Sequence, residues 1–117
     1  MATEDLTWAF YSPENAYLYA RDRIQGRWPP GEHLIAQDVH YAYRYAYDII
    51  RDQFTEGEAV IAQNAEYAYR YALYVIRDRW PQAEAVIAQD PMLALDYYNR
   101  FKEYFTEQEK VFWLLKI

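Results

Sequence analysis

The phrase AYRYAYDIIRDQF at 42–54 returns 26 residues later as AYRYALYVIRDRW at 68–80. No other feature narrows the fold as much. A chain that repeats itself at this length cannot bury the apolar face of one unit alone, so like units must pack on one another. The same period carries EHLIAQD at 32–38, EAVIAQN at 58–64 and EAVIAQD at 84–90. It also carries Ala16, Ala42, Ala68 and Ala94, and Tyr19, Tyr45, Tyr71 and Tyr97. Trp28, Phe54 and Trp80 keep the spacing, and Phe105 follows one residue early. Four copies are traced in this way, at 1–28, 29–54, 55–80 and 81–105. The first and last are degenerate, as the ends of a stacked array must be.

Each copy contains two helix starts. The longer helix begins at Ser12, Asp38, Asn64 and Asp90. All are N-cap residues whose side-chain oxygen can accept a bond from an unpaired backbone N–H. Pro13 and Pro91 then fall at the first helical position, where a missing N–H costs nothing. The shorter helix begins around Pro29, Thr55, Pro81 and Thr106. Thr55 with Glu58, and Thr106 with Glu109, have the spacing of a capping box.

On a regular helical wheel Ala42 centres the apolar face of the longer helix. Ala46 and Ile49 flank it, Tyr45 and Ile50 lie further out, and Tyr43 and Tyr41 reach the margins. Only Arg44, Asp48 and Arg51 gather opposite. The arc is wider than the roughly 100° stripe of an ordinary surface helix, which predicts neighbours on several sides. Ile35, Ile61 and Ile87 of the short helix join this layer. Alanines let helices approach, and tyrosines fill the wider gaps with their hydroxyls at the rim. The expected fold is all-α, a right-handed solenoid of short helix pairs forming one domain over 1–117. TEDLTWAFY at 3–11 stands in for a first short helix, and 106–117 is a closing helix built on Val111, Phe112, Leu114, Leu115 and Ile117.

The unit AYRYALYVIRDRWPQAEAVIAQDP resembles short tandem helical repeats inferred from bacterial and phage genomes, where patterns like A-Y-x-Y-A-x-x-V-I-x-x-R-W-P-x-A-E recur. The resemblance covers nearly the whole chain and implies the repeat rather than an activity. More loosely the array is similar to TPR and HEAT repeats, which mostly bind proteins or peptides. Its 26-residue period is shorter than the roughly 34 of TPR.

Composition narrows the chemistry. There is no cysteine, which removes disulfides and thiolate metal sites. The N-terminus lacks the basic and apolar regions of a secretory signal. No apolar stretch approaches the roughly 20 residues of a membrane helix, so the expected setting is cytoplasmic and away from membranes. A net charge of −6 argues against direct binding to nucleic-acid backbone. His33 and His40 are the only histidines, separated by the N-cap at Asp38, and do not make a metal site. Gly26, Gly31 and Gly57 lie near helix junctions rather than in a phosphate loop, and the single serine, Ser12, is explained by capping. Gln37, Gln63 and Gln89 each precede an N-cap, a place for an amide that bonds the turn backbone. The sequence assigns no cofactor and no catalytic residue.

Repetition also separates packing from variation. The outward stripe of the longer helix reads Leu18, Asp22, Gln25 in the first copy and Arg44, Asp48, Arg51 in the second. It reads Arg70, Tyr74, Arg77 in the third and Asp96, Arg100, Glu103 in the fourth. The middle copies therefore concentrate Arg44, Arg51, Arg70, Tyr74 and Arg77, and Arg and Tyr are frequent interface anchors. The competing reading is a solvated face, since Arg44 with Asp48 and Asp96 with Arg100 have i,i+4 spacing. The expected function is a non-enzymatic module that binds a protein. Small size, acidity and the likeness to phage-borne repeats point to an inhibitor of a host or defence protein. Two other readings are a nucleotide or small-ligand binder using the Arg/Tyr surface, and a nucleic-acid mimic. The 12 interspersed basic residues count against the mimic.

Overall fold

A computed structural model of the protein describes residues 5–117, so Met1 to Glu4 of the first copy lie outside the described residues. The α-helices are α1 (Pro13–Tyr19), α2 (Pro29–Ile35), α3 (Val39–Arg44), α4 (Glu58–Ile61), α5 (Ala65–Tyr71), α6 (Glu84–Ile87), α7 (Pro91–Phe101) and α8 (Glu107–Leu114). Single 3-10 turns precede α1 at Thr7–Phe10, α4 at Thr55–Gly57 and α6 at Pro81–Ala83. Among the described residues there is no strand. None of their helices is long and apolar enough to cross a membrane.

The chain divides into two compact units, Met1–Ile61 and Ala62–Ile117. In the first, α1 packs on α2 and α3, and α3 packs on α4. In the second, α5 packs on α6 and α7, and α7 packs on α8. Each unit is therefore long helix, short helix, long helix, short helix, and the second carries the elements of the first two periods later.

The caps explain where the long helices start. Ser12, Asp38, Asn64 and Asp90 all have extended backbone and accept a bond from an N–H two or three residues on. The box at Thr106 and Glu109 forms in both directions, at 3.1 and 2.8 Å. Thr55, expected as an N-cap, does not stand ahead of its helical segment. Thr55 is itself the first residue of a 3-10 turn, whose Gly57 N–H bonds Phe54 C=O at 3.0 Å, so its side chain is one position too late to cap.

Where the long helices end is less regular. α1 widens into a π turn at Ala20–Ile24, α3 at Tyr45–Ile50 and α5 at Ala72–Ile76, whereas α7 runs straight into a 3-10 turn at Lys102–Tyr104. The reason can be counted. Tyr19 to Trp28, Tyr45 to Phe54 and Tyr71 to Trp80 are each nine positions apart, but Tyr97 to Phe105 is eight. A single π turn holds one extra residue inside a helix. The copy that lacks the residue lacks the turn.

Ala16, Ala42, Ala68, Ala94, Ile35, Ile61 and Ile87 are all fully buried, as the period predicts. The hydroxyls of Tyr45 and Tyr97, expected at the rim, are instead engaged inside. In the first unit Tyr45 donates to Glu32 at 2.7 Å and accepts the Trp28 backbone N–H at 2.7 Å. Arg27 closes the clasp with a bidentate pair to Glu32, both bonds 2.9 Å. Two periods on, Tyr97 donates to Glu84 at 2.7 Å and accepts the Trp80 N–H at 2.8 Å, with Arg79 on Glu84. At these two positions the tyrosine cannot be replaced by Phe without stranding a buried N–H and a carboxylate. It ties the loop before α2 to the helix that follows it, and the loop before α6 to α7.

Candidate functional site

The π turns decide where the candidate arginines go. Each ends on a residue in the left-handed region, Gln25 at φ 61°, Arg51 at 60° and Arg77 at 63°. The N–H of each reaches back five residues to Ala20, Ala46 or Ala72 at 2.7 Å. A side chain in this conformation costs about 1–2 kcal/mol, which is why glycine is its usual occupant. A wheel drawn at a constant 3.6 residues per turn loses its phase at such a turn. Arg51 therefore does not continue the stripe of Arg44, nor Arg77 that of Arg70. Each stands at a helix end, where its positive charge meets the negative pole of the helix dipole.

Arg44 and Arg51 belong to the first unit. Arg44 is occupied: its Nε donates to Asp48 at 3.1 Å and its guanidinium lies 5.0 Å from the Tyr17 ring centroid. The Tyr17 hydroxyl donates to the same Asp48 oxygen at 2.7 Å. Burial, then Asp48, pushes that hydroxyl up to about 12. Arg51 is exposed and has no ion pair among the described residues. It lines a groove of about 270 Å³ with Arg21, Gln25, Gly26, Asp48 and Ile49.

Arg70, Tyr74 and Arg77 belong to the second unit. Arg70 pairs with Glu66 at 2.6 Å and lies 5.7 Å over the Tyr67 ring. Tyr74 is 50% exposed on the π turn. Arg77 is exposed, has no ion pair among the described residues, and lines a groove of about 410 Å³ with Asp78, Arg100, Phe101 and Tyr104. The expected Asp96–Arg100 pair does not form. Both charges instead act on Tyr69, whose hydroxyl is raised first by burial and then by Asp96, with Arg100 working against them.

The two grooves occupy the same place in their units. Gln25, Gly26, Asp48 and Ile49 correspond to Arg77, Asp78, Arg100 and Phe101 two periods later. Each groove lies between the left-handed end of one long helix and the C-terminal end of the next. The sequence placed Arg100 on the outward stripe of the fourth copy and as an ion-pair partner of Asp96, not among the candidate binding residues, and gave no sign of Tyr104 or Arg21. The signal for Arg100 was its position, two periods after Asp48.

Other candidates are explained locally. Gln37, Gln63 and Gln89 are exposed and make no side-chain hydrogen bond among the described residues, so the expected turn bond is not their role. His33 Nδ1 lies 3.2 Å from Glu56, and the His40 ring packs against Tyr41 at 4.8 Å. No group of three or more metal-ligating side chains occurs among the described residues. Compared with known proteins, the chain matches no described family, no curated protein and no solved structure.

Proposed function

We propose that the protein is a non-enzymatic interaction module whose units continue one another as a right-handed helical-repeat solenoid. It binds another protein through the variable residues of its longer helices. The observation that supports this is the standing of Arg51 and Arg77. In a chain of net charge −6, where Arg21, Arg27, Arg44, Arg70 and Arg79 each find a carboxylate, these two exposed cations find none among the described residues. Both sit on strained backbone, and strain that is retained at exposed positions is a pointer to use. The residues read as contacting the partner are Arg51 in the first unit and Tyr74 and Arg77 in the second; Arg44 and Arg70 rank below them because carboxylates already hold their charges. The resemblance to phage-borne repeats extends the reading to a small acidic inhibitor of a host or defence protein acting in the bacterial cytoplasm.

Capture from bacterial lysate with the tagged protein, followed by mass spectrometry, tests the reading. Arg51→Glu with Arg77→Glu should abolish capture of any specific partner while keeping the helical spectrum and lowering melting only slightly, since exposed charges at helix ends contribute little to stability. Capture that survives both changes removes this surface from consideration. If the partner is instead a nucleic-acid-binding protein held by carboxylates, the same variant captures it better, which favours the mimic.

A further inference from the structure

The equivalent grooves of the two units differ in charge, and the difference selects one of them. In the first unit the residue facing Gln25 across the groove is Asp48, already held by Arg44 and by the Tyr17 hydroxyl. In the second the corresponding residues are both arginines, Arg77 and Arg100, and neither has an ion pair among the described residues. The carboxylate that shares this groove, Asp78, bonds the Arg79 backbone N–H through Oδ1 at 2.7 Å rather than either arginine. Two guanidinium groups left unneutralised on one concavity of an acidic protein repel each other, and an oxyanion between them removes that repulsion. Tyr104, 68% exposed, and the buried Phe101 give the groove an aromatic wall.

From this arrangement we infer that the groove lined by Arg77, Arg100 and Tyr104 binds the carboxylates of an acidic peptide segment carrying an apolar side chain beside them. The inference rests on the protein-binding reading and names the chemistry of the partner. Small-molecule sites are enclosed and mostly apolar. This groove is rimmed by exposed Arg77, Asp78, Arg100 and Tyr104, which suits an extended peptide better than a free nucleotide. The groove of the first unit has the same position without the free cation pair, and serves as an internal control.

The test is a titration of the whole protein with an N-acetylated, C-amidated peptide of sequence Glu-Asp-Phe-Glu-Asp, followed by amide and side-chain NMR. Shifts should concentrate at Arg77, Arg100 and Tyr104 and be absent around Arg51. Arg77→Ser and Arg100→Gln should each weaken the peptide by about tenfold, the scale of one charge-assisted bond. Asp78→Asn should tighten it, because a like charge leaves the groove. A merely structural role for these residues predicts no such reversal of sign. Equal weakening by all three changes, or shifts centred at Arg51, overturns the proposal. So does binding of adenosine monophosphate with the same shifts while the peptide gives none. A partner captured from lysate by both the parent and the Arg77→Ser, Arg100→Gln protein sinks the groove and leaves the protein-binding reading standing. If the peptide binds as described but no partner is ever captured, the groove chemistry stands and the interaction reading fails.

Discussion

The first and second units use the same clasp for different purposes. In the first, Arg27 is 55% exposed and serves one carboxylate, Glu32. In the second, Arg79 is 18% exposed and serves two, Glu84 at 3.0 Å and Glu109 at 2.7 Å. It also donates to the Tyr104 backbone carbonyl at 3.3 Å and lies 4.4 Å from the Phe105 ring centroid. Glu109 lies in the first turn of α8, so the same arginine that closes the Glu84–Tyr97 clasp also latches the closing helix. Trp113 of that helix is buried against Tyr97, ring centroids 4.8 Å apart. One residue type at one repeat position thus does local work in one unit and joins three elements in the other. The comparison teaches that repeat position fixes which bonds are available, and the neighbouring element fixes how much they matter.

Removing the arginines should break the comparison most sharply. Arg79→Ala takes the guanidinium from both Glu84 and Glu109, and is expected to cost about 2–4 kcal/mol in urea unfolding. Arg27→Ala leaves the buried Glu32 with the Tyr45 hydroxyl as its remaining partner and is expected to cost less, about 1–2 kcal/mol, because one carboxylate rather than two loses its arginine. Equal effects would mean that the latch on α8 contributes nothing. Lowering pH should find the latch too. The Arg79 guanidinium and the Thr106 N–H hold Glu109 down to about 2 from an ordinary 4.5. A depressed carboxylate contributes above its unfolded value and loses that contribution as pH falls from 4.5 toward 2. Acid unfolding of the parent should therefore be steeper in this window than that of Glu109→Gln.

Next comes the close approach beneath each aromatic. A Cβ at Gly31 would lie 2.4 Å from the Trp28 ring. Gly31→Ala should overpack the first unit by about 1–3 kcal/mol. At the corresponding position of the second unit Ala83 is already present and fully buried beside Trp80. Ala83→Gly should cost about 1 kcal/mol or less, from lost contact and added chain entropy. A melting temperature unmoved by Gly31→Ala would show that the Trp28 ring can move aside at no cost.

Alkaline stability should fall in both units. Burial raises the hydroxyls of Tyr17, Tyr45 and Tyr97, with carboxylates adding to it, and Tyr17 reaches about 12. For a tyrosine raised in the folded state, the benefit is intact below the unfolded value near 10 and is lost as pH rises above it. Unfolding followed by circular dichroism between pH 10 and 12 should show this loss, and Tyr45→Phe should lessen it while lowering stability at pH 7. An identical pH profile for parent and variant would exclude Tyr45 as a contributor.

The smallest effect concerns the left-handed ends. Arg77→Gly should stabilise the second unit by about 0.5–1 kcal/mol, since the strain of a side chain there disappears. Arg77→Val should destabilise it by a similar amount because a β-branched residue fits the conformation worst. If Val were tolerated as well as Gly, the backbone at that position would not be left-handed.

The helix starts were legible because capping is local: one side chain and an N–H two or three residues on decide it, as at Ser12, Asp38, Asn64 and Asp90. The buried columns of Ala and Ile were legible because the period samples them repeatedly. The clasp was not, since Arg27, Glu32 and Tyr45 meet only after the chain turns twice. Its trace in the sequence was a cation just before Trp28 and Trp80 and a glutamate four positions after each. For the candidate site, the sequence grouped Arg51 and Arg77 with Arg44, Arg70 and Tyr74 on one stripe, and their left-handed backbone at a helix end was not legible. A wheel assumes a constant angle per residue, and the π turn breaks that assumption after Tyr45 and Tyr71. The shorter spacing from Tyr97 to Phe105 was the visible sign of it.

That spacing has a consequence at the level of the gene. Between α5 with its π turn and α7 without one, the difference in chain length is a single codon. Loss of one triplet downstream of the invariant tyrosine leaves the N-cap, the alanine column and the closing aromatic in place, as Asp90, Ala94 and Phe105 show. What changes is the exit of the helix and the residue presented there. Indels, which elsewhere in a helix throw every later side chain out of register, are absorbed here in one turn. A lineage of such repeats can therefore vary its exposed ends by deletion as well as by substitution, and keep the same scaffold.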